Sequence, residues 1–297
     1  MAIYSIRDLE KLTGIKKHTI RIWEQRYGLI TPHRTSTNIR YYTDNELRRL
    51  FNIALLNRNG FKISKLAQIG HEEIAHLVAG IAERNENADT QIDALTLAML
   101  NLDEHSFEHI FATSVSDHGF EQTMAILIYP LLENLKALWI TRSINPVHEK
   151  FITHLIRRKV LRAIDEIEPP DRRDNIIFFL YLPDGEMQEL TLLFINYLLR
   201  KRDFQVIYLG SETSISDIRD ACGAALPGYV FSIIESPLPR QSIQNYVDNA
   251  AAAVGNNRLL LTGSQVFLHP LKLPENVTLL NGLPDTLALL DQIRSSK

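Results

Sequence analysis

The chain has 297 residues, 45% of them hydrophobic and 23% charged, which supports an ordinary globular core and, at this length, two or three domains. Its formal net charge of −3 hides an asymmetry: residues 1–70 carry 13 Lys and Arg against 5 Asp and Glu, a net of +8, and residues 71–297 carry 19 against 30, a net of −11. No apolar run is long enough to span a bilayer, no signal peptide is visible, and the single cysteine, Cys222, excludes an intramolecular disulfide, so a cytoplasmic protein with no membrane partner is expected.

In chain order, Ile6, Leu9 and Leu12 fall at helical spacing, and Gly14 supplies a tight turn. A second amphipathic stretch runs from Lys16 to Tyr27. It turns Ile20, Trp23 and Tyr27 inward and leaves Lys17, His18 and Arg21 on another face. Beyond Gly28 and Pro32 the helical period stops. Arg34, Asn38, Arg40 and Tyr41 or Tyr42 then occupy a polar segment suited to a wing that grips phosphates. Two helices, a turn and a basic wing make a winged helix-turn-helix, and the local positive field attracts a polyanion, double-stranded DNA. Residues 44–58 and 62–80 predict further helices that complete a first domain over residues 1–80.

A polar stretch around Arg84–Thr90 marks a linker, placed at residues 81–92. Residues 93–168 are helical in pattern, with apolar stripes that include Leu95, Phe107, Phe111, Leu131, Ile152 and Ile156, consistent with a bundle of about four helices. After Pro169-Pro170 the character changes. Apolar runs at Ile176–Leu182, Gln205–Gly210, Tyr229–Ile234, Arg258–Gly263 and Val277–Leu280 alternate with helical stretches, which predicts a Rossmann-like, doubly wound parallel sheet over residues 172–297. The expected fold is therefore multidomain, α and α/β. Ligands of such sheets sit at the carboxyl ends of the strands, here near Tyr181–Gln188, Gly210, Ser232–Glu235 and Thr262–Gln265.

The run Thr19–Pro32, followed by Arg34 and Arg40-Tyr41-Tyr42, resembles the MerR family of transcription regulators. The resemblance implies a homodimer, or a higher homo-oligomer, on a pseudo-palindromic operator, with Arg21, Arg34, Arg40 and Tyr42 among the DNA contacts. RNA polymerase at the promoter is a further partner such a regulator can have. Repression fits the resemblance better than activation.

With the bundle and alternating domain behind it, the whole chain resembles the cobalamin-sensing repressors of light-controlled carotenoid genes. That family carries Asp/Glu-x-His-x-x-Gly after its first sheet strand, where the His ligates cobalt and the Gly lets the corrin tail approach. Here the corresponding stretch is Glu186-Met187-Gln188-Glu189-Leu190-Thr191, with Gln188 at the His position and Thr191 at the Gly position. A glutamine amide is a weak, hard donor beside an imidazole, and Thr191 adds a branched side chain where close approach is needed. Ser232-Ile233-Ile234 resembles the family's Ser-x-Leu, and Thr262-Gly263 keeps half of its Gly-Gly. In the bundle, Trp139 and Glu149 keep the spacing of the family's Trp and Glu-His, with Lys150 in place of the His. Loss of cobalamin, with the body kept as an oligomerisation or partner-binding module, is the first expectation. Cobalamin held without the His, by the remaining pocket and Trp139, is the alternative; a different small ligand in the same cleft is the third. Trp139 also reads as bundle core, and Glu149 as a solvated acid.

His105 and His109, one helical turn apart, read as a solvated or partly buried helical face, and no metal is expected. His148 and His154 read as helix surface, and Cys222 as a small buried side chain. No nucleophile–base pairing or phosphate-binding glycine loop is present in the alternating domain, so no catalytic residues are assigned. A cobalamin-dependent methyltransferase or mutase subunit, the rival class, is disfavoured by the DNA-binding head and the missing His.

Overall fold

The computed structural model describes residues 3–70, 73–74, 77–78, 88–140, 145–170, 176–225, 227–238, 241–268 and 270–295, without the side chains of residues 136–140. They form two compact units, Met1–Ile156 and Arg157–Lys297.

The first unit opens with α1 (Ile6–Thr13), started by a reciprocal cap in which the Ser5 hydroxyl accepts the Asp8 N–H and the Asp8 carboxylate accepts the Ser5 N–H. Gly14, at φ 69°, ends it, because the left-handed turn there suits a residue without a Cβ. The next helix, α2 (Lys17–Ile22), runs on into a wider π turn, Trp23–Tyr27, and stops at Gly28, φ 61°. Leu9, Leu12, Ile20 and Trp23 bury the shared face of the two helices. The wing is a hairpin of β1 (His33–Arg34) and β2 (Arg40–Tyr41), closed by the Asn38 N–H on the Thr35 carbonyl at 2.9 Å with Asn38 in the left-handed region. Tyr4 pairs with Tyr42 and so adds a third strand position at the wing's base.

The long helix α3 (Asp44–Arg58) follows, capped by Thr43 and Glu46, then α4 (Ile63–Leu66). The bundle helices are α5 (Ala88–Asn101), α6 (Glu104–His118), the contiguous run α7 (Phe120–Thr123), a π turn Met124–Ile128 and α8 (Tyr129–Ile140), then α9 (Pro146–Asp165). Helix α5 begins inside the stretch expected as linker, since Ile92, Leu95 and Met99 already bury its face. It packs against α3, which places the first bundle helix on the head within one unit.

His148, expected on the surface, is 5% exposed, and its Nδ1 is buried without a hydrogen-bond partner. Burial holds its imidazole below the usual histidine range; Asp44 opposes that shift and Arg48 adds to it. The unfolded chain takes up this proton near pH ~6.5, and the folded chain only at lower pH. Stability from this site is therefore complete above about pH 6.5 and declines as pH falls below it. Thermal unfolding followed from about pH 7 to 5 is expected to show a shallower decline for His148→Asn than for the wild type; an identical slope would place the linkage elsewhere.

The second unit is a five-stranded parallel sheet in the order β4 (Gln205–Gly210), β3 (Ile177–Tyr181), β5 (Tyr229–Ile233), β6 (Arg258–Thr262), β7 (Val277–Leu280). Helices α10 (Glu189–Lys201), α11 (Ile215–Ala225) and α12 (Ile243–Val254) connect successive strands, and α13 (Gly282–Ser295) closes the chain. Strands buried on both faces explain the near-continuous apolar runs, such as Phe178–Leu182. The order reverses between β4 and β5 on either side of β3, so the crevice of this sheet lies at the carboxyl ends of β3 and β5.

Candidate functional site

In the head, α2 is anchored by buried Ile20 and Trp23, and this fixes what it shows to solvent. Lys17, His18 and Arg21 are exposed, and none has a side-chain hydrogen bond or ion pair among the described residues. In the wing the Arg34 guanidinium donates to Asn38 Oδ1 at 2.7 Å, a contact that stiffens the exposed hairpin. Arg40 differs: its Nε meets Glu24 Oε1 at 3.3 Å, and the other carboxylate oxygen accepts the Tyr42 hydroxyl at 3.1 Å. Tyr42, expected as a contact on the wing surface, is instead buried at 0% exposure, and burial with Glu24 beside it pushes the phenol up to about 12. It braces the wing and cannot reach a phosphate. Glu24 clamps wing to helix, a role sequence reasoning missed; its one visible sign is an acid in the last turn of a basic helix.

Arg58 was also missed. One of its nitrogens donates to the Thr13 carbonyl at 3.0 Å, satisfying an orphan acceptor at the end of α1, and another meets Asp93 of α5 at 2.8 Å. Burial raises the Asp93 carboxyl above its ordinary range while Arg58 pulls it back.

In the sheet unit, Gln188 holds the cap position before α10, half-buried, and its Oε1 accepts the Thr191 hydroxyl at 3.4 Å. Glu186 is 5% exposed, and its carboxylate accepts three backbone N–H groups: Met187 at 2.8 Å, Glu235 at 2.7 Å and Ser236 at 2.9 Å. The last two belong to the loop after β5, so Glu186 bridges the crevice at the switch point. Ser264 Oγ donates to the Glu235 carboxylate at 2.7 Å and adds the loop after β6 to the same tie.

Ser232 is fully buried, and its hydroxyl lies beside two phenols. Those phenols, Tyr181 and Tyr246, bond each other at 2.9 Å. Burial raises both, Tyr181 to about 12. Gly263 has φ 108°, and a Cβ there would stand 2.4 Å from the Ile234 carbonyl oxygen. Its small size serves a close approach of two backbone segments. Glu149 is half-buried near the start of α9, and the Trp139 side chain lies outside the described residues. His105, His109 and His154 are exposed, Cys222 is buried, and no group of three or more His, Cys, Asp or Glu is arranged to hold a metal among the described residues. Nor is any described helix long and apolar enough to cross a membrane.

Residues 4–72 match the family described as MerR HTH family regulatory protein. Over 237 residues the chain is 24% identical to the HTH-type transcriptional repressor CarH of Myxococcus xanthus, a match that covers 76% of this chain and 77% of the repressor. The HTH-type transcriptional repressor CarA of the same organism is 23% identical over 239 residues, covering 80% of this chain and 78% of that protein. Among solved structures, the monomethylamine corrinoid protein of Methanosarcina barkeri aligns with a TM-score of 0.48 and 7% identity, over 66% of this chain and 94% of that one. Residues 4–72 are thus a MerR-type HTH region, and over about three quarters of its length the chain is similar to two transcriptional repressors.

Proposed function

We propose that the protein is a cytoplasmic homo-oligomer that binds double-stranded operator DNA through Lys17, His18, Arg21, Arg34, Asn38 and Arg40, and that it represses transcription. One observation carries this reading: the Lys17, His18 and Arg21 side chains of α2 are exposed and unengaged beside a wing whose Arg40 is held in place by Glu24. Phosphate contacts of this kind make affinity fall steeply with salt, whereas a merely solvated basic face has no affinity to lose. Fluorescence anisotropy of a labelled duplex with the purified full chain, over a salt series, tests it; no binding at low salt would end the proposal.

The body is a sensor or oligomerisation module that no longer ligates cobalamin. Its residues do not fit the group: Gln188 brings an amide where cobalt takes an imidazole, and Glu186, placed to orient such an imidazole, is engaged by three backbone donors. The Tyr181–Tyr246 pair crowds Ser232, the position that resembles the family's Ser-x-Leu element. After incubation with adenosylcobalamin or methylcobalamin and desalting, the protein is expected to show no corrin absorption band. Gln188→His with Thr191→Gly is expected to stay colourless as well, because Glu186 and both tyrosines remain as they are. A band retained by the wild type would overturn the proposed loss.

A further inference from the structure

Helix α2 exposes one side chain that its charge does not explain. Ile22 is 49% exposed and lies one turn after His18 and next to Arg21, away from the Ile20 and Trp23 side that packs inward. At 100° per residue, Lys17, Arg21, His18 and Ile22 fall within an arc of about 140°. An apolar side chain held at the edge of a cationic face gains nothing from water. The other strongly exposed isoleucines of the head, Ile3 at 66% and Ile39 at 64%, lie off this helix, before α1 and in the wing.

Charge decides what can cover the patch. An acidic or apolar protein groove would have to accept Lys17, His18 and Arg21 together with Ile22, and the head as a whole carries a net +8. A DNA major groove offers both complements at once: phosphates and guanine acceptors for the bases, and one apolar group, the 5-methyl of thymine. We infer that Ile22 reads a thymine methyl and makes α2 discriminate by shape as well as by charge. This rests on the DNA-binding reading above, which assigns contacts only to polar side chains.

The test uses the full chain to select duplexes from a random-sequence pool. In the selected duplex each thymine is then replaced in turn by deoxyuridine, which keeps the pairing and removes only the methyl. Loss of one methyl contact lowers affinity by about fourfold. That loss is expected at one thymine per half-site for the wild type, and is expected to vanish for Ile22→Ala, which binds the thymine duplex as weakly as the wild type binds the deoxyuridine one. Insensitivity at every thymine, or equal losses for wild type and Ile22→Ala, overturns the inference while leaving DNA binding intact. Failure to enrich any sequence ends both. Light scattering of the free proteins separates the other occupant: a smaller assembly for Ile22→Ala would give the patch to a second copy and overturn the inference.

Discussion

Alanine at Gly263 is expected to destabilise the sheet unit by on the order of 3 kcal/mol or more, the largest stability effect of any single exchange considered. Two costs add. The residue sits at φ 108°, where an L side chain is strained, and its Cβ would lie 2.4, 2.6 and 2.8 Å from the O, C and N of Ile234. All three are backbone atoms, and the segment cannot step aside. The Ile234 N–H is fixed on the Thr262 carbonyl at 2.8 Å, and its own carbonyl accepts the Gln265 N–H at 3.1 Å. Thr262 in turn holds the Leu280 carbonyl through its hydroxyl at 2.7 Å, so the strain spreads to β7. Urea unfolding of the full chain, followed by far-ultraviolet circular dichroism, reads the change. A loss below about 1 kcal/mol would show that the two loops separate easily, against the geometry described. The same numbers bear on ligand binding: a glycine demanded by the backbone beside it persists whether or not a cofactor approaches.

The second large effect concerns DNA. Arg21→Ala should weaken operator binding by about 1–3 kcal/mol per contact if the guanidinium meets a base edge, or about 5- to 150-fold. Arg21 is exposed and has no ion pair among the described residues, so the free protein loses no internal contact and its unfolding midpoint should not move. If the guanidinium meets a phosphate instead, affinity falls evenly across sequences and the salt slope drops by about 1. Unchanged affinity on the selected duplex would remove Arg21 from the interface.

The local elements were legible because each writes its burial into a short period. Leu9, Ile20 and Trp23 give the head its helical spacing, and the apolar runs at β4 and β7 end where the structure ends them. Helix α13 was not assigned from the sequence: Gly282 and Pro284 stand at its start, and Thr286, Leu290 and Ile293 turn inward behind them. The two π turns left no sign either. What periodicity cannot show is a pairing across the chain. Arg58 and Thr13 are 45 residues apart, Glu186 and Glu235 are 49, and Tyr181 and Tyr246 are 65. The motif positions Glu186, Gln188, Thr191 and Ser232 could be found by resemblance, but their partners could not, because those depend on which strand ends the sheet order brings together. His148 shows the same limit. Its neighbours Val147 and Lys150 are exposed, and only the fold turns the imidazole toward Asp44 and Arg48.

Arg58 has a mechanical consequence. A guanidinium is rigid and planar, and here two of its nitrogens are fixed at once, 3.0 Å from the Thr13 carbonyl and 2.8 Å from Asp93. Such a double anchor acts as a gauge between the turn after α1 and the first bundle helix. Small displacements are resisted by both contacts together, and a displacement beyond about 1 Å must break one of them, because hydrogen bonds weaken steeply outside their narrow range. The end of α1 and the start of α5 are therefore held by one side chain, and losing it loses both contacts together.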